Sequence, residues 1–506
     1  MAGTRTTRLL AGAVTAGLLA ALVVCGAGCG TTELRDRYEA EKMAWEAGKL
    51  ARAMRSNPEL AADEMRAQIE ETYRAIVKRF PPGGAPRTEE ARDVASIAGQ
   101  SRLALATMAA ERGELDQAID LFASVRDSYA FDRRLAVEAR LAAGNAYEAT
   151  DRWPAAAREF EALTAAFPPA ATPSDPPDPR ILRTPLKVAA GYAVRGEQSL
   201  AVEAFARARA YYDRWIRDWA GSPTAQLALQ LKGESFAQEG RFAEAAQTFE
   251  LFDARHGDET NRAAVWLRLA EIYATNLGEV AKARNCYLKV AEAYPDETSG
   301  ATASIALAVL DIEDGRHEEA RARLERTLAR FKDEPTVSAT ALHYLALSHE
   351  LEGNWESAAA RYNALAQEHP TTLYGLTAPL HVARHYRDTG SADAAARAFE
   401  RAVQQYERVI KDSESTPAEL AARNYLVEAR LDQGDWAGAA EALVEAAERF
   451  AESDAAPGML MQAAELYASK LGDAARAREM YERVLAAQKG SQAAEEAAAR
   501  LEALKE

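Results

Sequence analysis

Two histidines form the pattern in this sequence that comes nearest to a metal site. His381 and His385 lie four residues apart in HVARHY, and side chains at that spacing share one face of a helix. A zinc enzyme adds a third protein ligand to such a pair, and in HExxH motifs a glutamate acts as the base. The neighbouring sequence contains neither a third ligand nor such a glutamate, so we interpret both histidines as helix-face residues.

The other reactive residue types also lack a catalytic context. The sequence contains no Gly-rich phosphate loop and no nucleophile elbow. Because the chain has 77 acidic residues, pairs of carboxylates on helices are expected by chance and do not indicate a catalytic site. Cys286, next to Tyr287, is typical of a small buried hydrophobic residue rather than a reactive thiol. We therefore predict a protein that is not an enzyme and uses no cofactor or metal.

The element that would position any site is a helical hairpin, which is clearest in residues 351–370. Gly353 can adopt positive φ and end a first helix, and Trp355 opens the second. Ala358 is small enough for two helices to approach closely. Tyr362 lies four residues further on, on the same face. Pro370 then ends the segment.

This hairpin pattern recurs ten times along the chain. Nine glycines and one aspartate mark the turns: Gly113, Asp151, Gly196, Gly240, Gly278, Gly315, Gly353, Gly390, Gly434 and Gly472. Five residues after each marker stands an alanine: Ala118, Ala156, Ala201, Ala245, Ala283, Ala320, Ala358, Ala395, Ala439 and Ala477. Four residues further stands a large residue: Phe122, Phe160, Phe205, Phe249, Tyr287, Leu324, Tyr362, Phe399, Leu443 and Tyr481.

The first helix of each hairpin carries a small residue where the two helices should cross. It stands seven or eight residues before the marker in nine repeats, and Val427 departs from the rule: Ala106, Gly144, Ala189, Gly233, Ala270, Ala308, Ala346, Ala383 and Ala464. From Gly240 onward the markers are 37 to 44 residues apart, a period typical of solenoids. We predict an all-α, right-handed α-solenoid of about ten hairpins with terminal capping helices.

Residues 95–490 resemble the tetratricopeptide repeat family. The best single match to that family's spacing consists of Gly144, Tyr147, Ala156, Phe160 and Pro168. The stretched period and the closing Phe167-Pro168 and Tyr294-Pro295 pairs are similar to repeats of bacterial envelope lipoproteins in β-barrel assembly (BamD-like) and Tol–Pal (YbgF-like) systems. The resemblance implies an interaction scaffold whose concave face, built from first helices, binds segments of protein partners.

The N-terminal sequence predicts export and a lipid anchor. Arg5 and Arg8 precede an uncharged apolar run over residues 9–24, which is shorter than a membrane span. Residues 25–30, CGAGCG, resemble a lipobox, so we expect cleavage after residue 28 and acylation of Cys29. The resulting protein would be tethered in the cell envelope and face the periplasm, with Gly30 favouring the outer membrane. The mature chain has 59 basic and 77 acidic residues, which argues against nucleic acid or anionic lipid surfaces as main partners.

The remaining predictions concern domain order and possible contacts. The expected order is a signal peptide (1–28), an N-terminal helical region (29–94), repeats (95–167), a Pro-rich loop (168–185), repeats (186–490) and a capping helix (491–506). Family groove positions predict partner contacts at Asn145, Glu148, Gln230, Glu234, Glu271, His343, Glu350, Arg384, Arg387, Asn424, Glu428 and Glu465. Tyr211, Trp215 and Trp219 form an aromatic stripe that is either core or, if exposed, a binding site.

These features leave three functions open. The first is a lipid-anchored scaffold for an envelope complex in outer-membrane protein or cell-wall assembly. The second is a glycan- or lipid-binding accessory protein that uses the aromatic stripe. The third is a passive spacer. The oligomeric state and the identity of the partner are left open by the sequence.

Overall fold

A computed structural model describes residues 32–56, 62–166, 178–255, 262–487 and 492–504. In these ranges the regular structure is entirely helical, with 23 α-helices and one π-helix. The predicted all-α class is confirmed. The chain divides into two units, residues 1–254 and 255–506, and each is described by itself below.

The first unit contains two N-terminal helices and four hairpins. Its helices are α1 (Thr32–Ser56), α2 (Ala62–Arg79), α3 (Glu89–Glu111), α4 (Leu115–Ser128), α5 (Arg133–Ala149), α6 (Trp153–Ala166), α7 (Pro179–Val194), α8 (Gln198–Asp218), α9 (Pro223–Gln238) and α10 (Phe242–Arg255). The first repeat helix, α3, therefore begins at Glu89, six residues before the predicted start of the repeats.

The second unit contains six hairpins and a C-terminal helix. Its helices are α11 (Arg262–Glu271), a π-helix (Ile272–Asn276), α12 (Val280–Ala293), α13 (Thr298–Glu313), α14 (His317–Arg330), α15 (Pro335–Leu351), α16 (Trp355–Glu368), α17 (Leu373–Asp388), α18 (Ala392–Asp412), α19 (Pro417–Gln433), α20 (Trp436–Arg449), α21 (Ala456–Ser469), α22 (Ala474–Ala487) and α23 (Gln492–Ala503). The last of these packs on α22 and α21, as a capping helix would.

All ten turn markers adopt the backbone conformation that the sequence predicts. Their φ angles lie between 54° at Asp151 and 82° at Gly353, the left-handed region that glycine tolerates best. After Gly353, for example, the Asn354 N–H bonds to the His349 carbonyl at 2.9 Å. Each marker thus closes a first helix and directs the chain back along it.

The small and large residues of the pattern form the core of each hairpin. The ten alanines of the second helices are buried, and so are nine of the ten large residues that follow them. Tyr287 is the half-buried exception. At Gly144 an added Cβ would overlap the Phe160 ring, and Gly233 has the same relation to Phe249. Close helix crossing therefore depends on the small residue that the sequence places there.

Neighbouring hairpins stack through their helices in chain order. Within each unit a helix packs mainly on the helices before and after it, and consecutive first helices such as α3 and α5, or α17 and α19, also touch. One buried cluster runs through the second unit from Ala301 to Ala497. This arrangement confirms an α-solenoid of stacked hairpins, in which each repeat covers the apolar face of the next.

Two local features correct the sequence interpretation. The predicted loop 168–185 is wrong at its end, because α7 begins at Pro179 and includes Pro185. Pro179 needs no N–H in the first turn, and the Thr184 hydroxyl donates to the Ile181 carbonyl at 2.8 Å, the carbonyl that Pro185 leaves without its helical donor. Ala270 stands eight residues before its marker, Gly278, where most repeats have seven. The additional residue lies in the π-helical turn Ile272–Asn276 that ends the first helix.

Candidate partner-binding face

Six of the eight predicted groove residues of the second unit lie on the first helices α15, α17 and α19, and the other two, Glu271 and Glu465, lie on α11 and α21. We call the exposed side of α15, α17 and α19 the first-helix face. The structure brings Glu350 of α15 together with His381 and His385 of α17. It also brings Arg384 of α17 together with Glu428 of α19, while Arg387 of α17 contacts Asp432 of α19. The face is therefore a set of polar groups that join one hairpin to the next.

Glu350 is the centre of the first group. The Tyr362 hydroxyl donates to its carboxylate at 2.8 Å, and His381 Nε2 lies 3.0 Å from the same oxygen. Burial, followed by the hydrogen bond to Glu350, raises the pKa of Tyr362 well above its usual range. Tyr362 is thus a persistent donor that fixes the orientation of Glu350.

Two aromatic stacks flank this carboxylate. The His385 ring lies parallel to the Trp355 indole, with ring centroids 3.3 Å apart, and the His343 ring stacks on Tyr374 at 4.0 Å. Burial, and then the neighbouring His381, lower the pKa of His343 to about 4. His343 is therefore neutral near pH 7 and can accept as well as donate a hydrogen bond.

The second group is a charge network between α17 and α19. Arg384 lies 2.6 Å from Asp432 and 2.9 Å from Glu428, and Arg387 reaches the other Asp432 oxygen at 2.7 Å. Partial burial opposes the charge on Arg384, but its hydrogen bonds to Asp432 and then Glu428 raise its pKa above the usual value. Arg384 is therefore charged near neutral pH, and the charge-assisted hydrogen bonds of the network hold its side chains in place.

The other predicted contacts do not join these groups. Asn424 is exposed on α19, Glu271 pairs with Arg268 at 2.7 Å, and Glu234 is half-buried on α9 of the first unit. Elsewhere in the first unit, Asn145 and Glu148 both bind Lys187, at 2.8 and 2.7 Å. The same kind of bond between first helices thus occurs in both units.

The sequence reasoning missed Asp432 and the role of Trp355. Asp432 stands two residues before Gly434, a spacing that the family's groove positions do not include. Trp355 was placed as the opening residue of a helix, yet its ring supports His385 across the hairpin boundary. The tryptophan two residues after the marker was the available signal, since Trp153 and Trp436 occupy the same place.

The aromatic stripe is part of the core. Tyr211, Trp215 and Trp219 are 4%, 2% and 8% exposed. They pack in one cluster with residues of α7 and α9, including Leu182, Leu186 and Ala228. The alternative in which these rings face solvent and bind a ligand is therefore wrong, because the neighbouring helices cover them. Residues 168–177 of the predicted Pro-rich loop lie outside the described residues.

The remaining chemical predictions can be located only in part. Cys286 is buried, as a small hydrophobic residue would be. Cys29 lies outside the described residues. In the described ranges no group of three or more His, Cys, Asp or Glu side chains is arranged to hold a metal. The same ranges contain no helix with the length and apolarity to cross a bilayer.

Solved structures of repeat proteins are similar to parts of this chain. A tetratricopeptide repeat protein from Parabacteroides merdae is 19% identical, covers 56% of this chain and 98% of its own, and has a TM-score of 0.32. The C-terminal part of a repeat protein from Cytophaga hutchinsonii is 13% identical over 62% of this chain and 98% of its own, at 0.30. The apo form of RapI is 10% identical over 77% and 97%, at 0.38.

Family models provide the more specific finding. No curated protein gives a match to the chain. One tetratricopeptide repeat model matches residues 261–333, and a second matches residues 200–260, 305–371 and 383–457. These ranges contain six of the ten turn markers, each with the positive φ and the hairpin packing described above. The chain is a tetratricopeptide repeat protein.

Proposed function

We propose that this protein is a lipid-anchored scaffold of the bacterial envelope that binds a protein partner on its first-helix face, in outer-membrane protein or cell-wall assembly. Tetratricopeptide repeats mediate protein–protein interactions. The observation that carries the proposal is the grouping of polar and aromatic side chains on consecutive first helices α15, α17 and α19.

The electrostatics of this face favour a peptide segment of mixed charge. Arg384 and Arg387 already share Asp432 and Glu428, so the face has no single sign of charge. A partner with one carboxylate and one cation can exchange with these exposed pairs at small cost, since surface ion pairs contribute about 0–1 kcal/mol each. Neighbouring Trp355 and Tyr374 offer half-buried rings for an apolar side chain.

The anchor is inferred from the sequence alone. The apolar run over residues 9–24 and the small residues before Cys29 support export and acylation. Several acyl chains hold a protein on a membrane durably, whereas one chain holds it marginally. Gly30 supports the outer membrane as the destination.

Photo-crosslinking in cells tests the binding face. A photoreactive residue at exposed Asn424 on α19 should give one stoichiometric protein adduct. The matched control is Arg397, which is equally exposed but lies on the second helix α18. Equal labelling from the two positions, or none from Asn424, contradicts the proposal.

Fractionation tests the anchor separately. The Cys29→Ala variant should leave the membrane fraction or accumulate as an uncleaved precursor, while the wild-type protein remains with outer membranes. A wild-type protein that is recovered in the soluble fraction contradicts the anchor without affecting the crosslinking result.

A further inference from the structure

The outer side of α1 carries three exposed large apolar residues in a row. Leu34, Tyr38 and Trp45 are 52%, 61% and 60% exposed. At 3.6 residues per turn, spacings of four and seven residues place them within a sector of about 40° around the helix. We call these three residues the α1 stripe.

The opposite side of α1 explains why the stripe is not needed for folding. Ala40 and Ala47 are completely buried, and Ala40 belongs to a cluster with Ile76 of α2 and Ala98 of α3. They lie about 200° from the stripe around the helix axis. The stripe therefore faces away from the only helices on which α1 packs within the described residues.

Two lysine side chains lie at the edge of the stripe. Glu41, about 20° outside that sector on the Leu34 side, is held by Arg37 at 2.9 Å. Lys42 is exposed, and the Lys49 ammonium lies 5.7 Å from the centre of the Trp45 ring. A tyrosine and a tryptophan beside lysines are the side chains that prefer the boundary between lipid headgroups and hydrocarbon, with lysine amines extending to the phosphates.

We propose that the α1 stripe lies in the headgroup region of the bilayer that holds the lipid anchor. This inference rests on the proposed acylation of Cys29. Five residues separate Cys29 from Leu34, a reach of at most about 18 Å. Trp45 is about 16 Å further along the helix axis, so all three side chains reach the membrane only if α1 lies along its surface. The stripe would then orient the first hairpins relative to the membrane.

A fluorescent label on α1 tests this contact. The full-length acylated protein with Cys286→Ala is labelled with an environment-sensitive fluorophore at Glu41→Cys, beside the stripe and about 40° from Trp45 around the helix. The control is Glu46→Cys, which makes the same change on an exposed residue about 140° from residue 41 around the helix. Both proteins are reconstituted in vesicles of phosphatidylethanolamine and phosphatidylglycerol at 3:1, with and without brominated lipid.

The expected result is a blue-shifted emission at residue 41 that brominated lipid quenches several-fold more strongly than emission at residue 46. Replacing Leu34, Tyr38 and Trp45 by serine should remove the difference while circular dichroism remains unchanged. Equal, weak quenching in protein that floats with the vesicles overturns the contact but leaves the anchor intact. A blue shift that depends on protein concentration and not on lipid shows a second copy on the stripe and also overturns it. If the protein does not float with the vesicles, both the proposed anchor and the proposed contact are contradicted.

Discussion

Two helix boundaries have the same arrangement but use different side chains. One lies between α6 and α7 in the first unit, and the other lies between α16 and α17 in the second. Trp153 and Trp355 both stand two residues after a turn marker and pack against the next first helix. Trp153 is 1% exposed and packs over Gly191. Trp355 is half-buried and stacks on His385. The position of Gly191 beside the buried Trp153 is thus occupied by His385 beside the half-buried Trp355.

The ion pairs at these boundaries differ in the same way. In the first unit Lys187 lies 2.7 Å from Glu148 and 4.7 Å from the Phe160 ring centre. In the second, His381 occupies the lysine position and binds Glu350 beside the Tyr362 ring. Either a lysine or a histidine can therefore bind the glutamate of the preceding first helix at this position. The first-helix face can therefore vary in chemistry while the hairpins remain the same.

Longer stretches of the two units share this correspondence. Residues 179–246 align with residues 373–440 at a constant offset of 194 positions, without a gap. Leu182, Pro185 and Tyr212 thereby correspond to Leu376, Pro379 and Tyr406. The second helices of both pairs, α8 and α18, are 21 residues long. One position that differs inside the core of this match is Ala225, which becomes Glu419.

Removing the Glu419 carboxylate should have the largest effect. Glu419 is 1% exposed and accepts from the Ser415 N–H at 2.8 Å, Arg423 at 3.1 Å and Arg449 at 3.1 Å. Glu419→Ala leaves two arginines and a positive-φ turn without their acceptor, at a cost of about 3 kcal/mol. Hydrogen exchange should show loss of protection in α19 and α20. The matched control, Ala225→Ser in the first unit, should change protection by much less.

The same carboxylate predicts acid sensitivity. Burial opposes ionisation, but hydrogen bonds from Arg449, the Ser415 N–H and Arg423 lower the pKa of Glu419 to about 2 from 4.5. Its contribution is therefore complete above pH 4.5 and is lost as the pH falls toward 2. Equal acid sensitivity of α19 in the wild-type protein and Glu419→Gln would contradict this assignment.

The sequence predicted the hairpins because each depends on local signals. Gly353, Ala358 and Tyr362 are fixed by backbone conformation and by a helix crossing within one repeat, so their spacing shows in the chain. The pairing of Arg384 with Asp432, or of Glu419 with Arg449, joins residues 48 and 30 positions apart. Such contacts depend on how hairpins stack. The Pro185 prediction failed because a side-chain hydroxyl compensates for the missing N–H.

The tryptophan boundaries give the second-largest expected effect. Gly191→Ala adds a Cβ that overlaps the Trp153 ring and should destabilise the first unit by about 1–3 kcal/mol through overpacking. His385→Ala removes a ring from a half-exposed stack and should cost less than about 1 kcal/mol. Urea unfolding followed by circular dichroism measures both. A larger loss for His385→Ala than for Gly191→Ala would show that the two boundaries do not share a plan.

His343 predicts a smaller, pH-dependent difference. Burial and then His381 lower its pKa to about 4 from 6.5, against an opposing effect of Glu350. The unfolded chain therefore binds the proton more readily between pH 6.5 and 4, so stability is constant above pH 6.5 and falls toward pH 4. The expected loss is about 1–2 kcal/mol, reduced from the full shift because the ring is partly exposed.

The first unit provides the control for that prediction. Leu141 occupies the equivalent place, ten residues before its turn marker. His343→Leu should make urea unfolding less dependent on pH between 6.5 and 4.5, while Leu141→Ala should leave this dependence unchanged. An unchanged slope in His343→Leu would assign the pH dependence to other groups.

The smallest effects should be equal in the two units. The Tyr212 hydroxyl donates to the Leu182 carbonyl at 3.0 Å, and Tyr406 donates to Leu376 at 2.8 Å. Each bond lies in the turn before an internal proline, Pro185 or Pro379. Tyr212→Phe and Tyr406→Phe keep the rings and remove one buried donor, so each should cost about 1 kcal/mol.

Equality of these two values is the sharpest test of the correspondence. The rings have similar burial, 0% exposed for both Tyr212 and Tyr406, and the acceptors are equivalent carbonyls. Urea unfolding of the two single variants should therefore give losses within about 0.5 kcal/mol of each other, and their sum in the double variant, since distant sites add. If only Tyr406→Phe destabilises, the Leu182 carbonyl has another donor, and the two units share a sequence pattern without sharing the bond that supports the proline-containing helix.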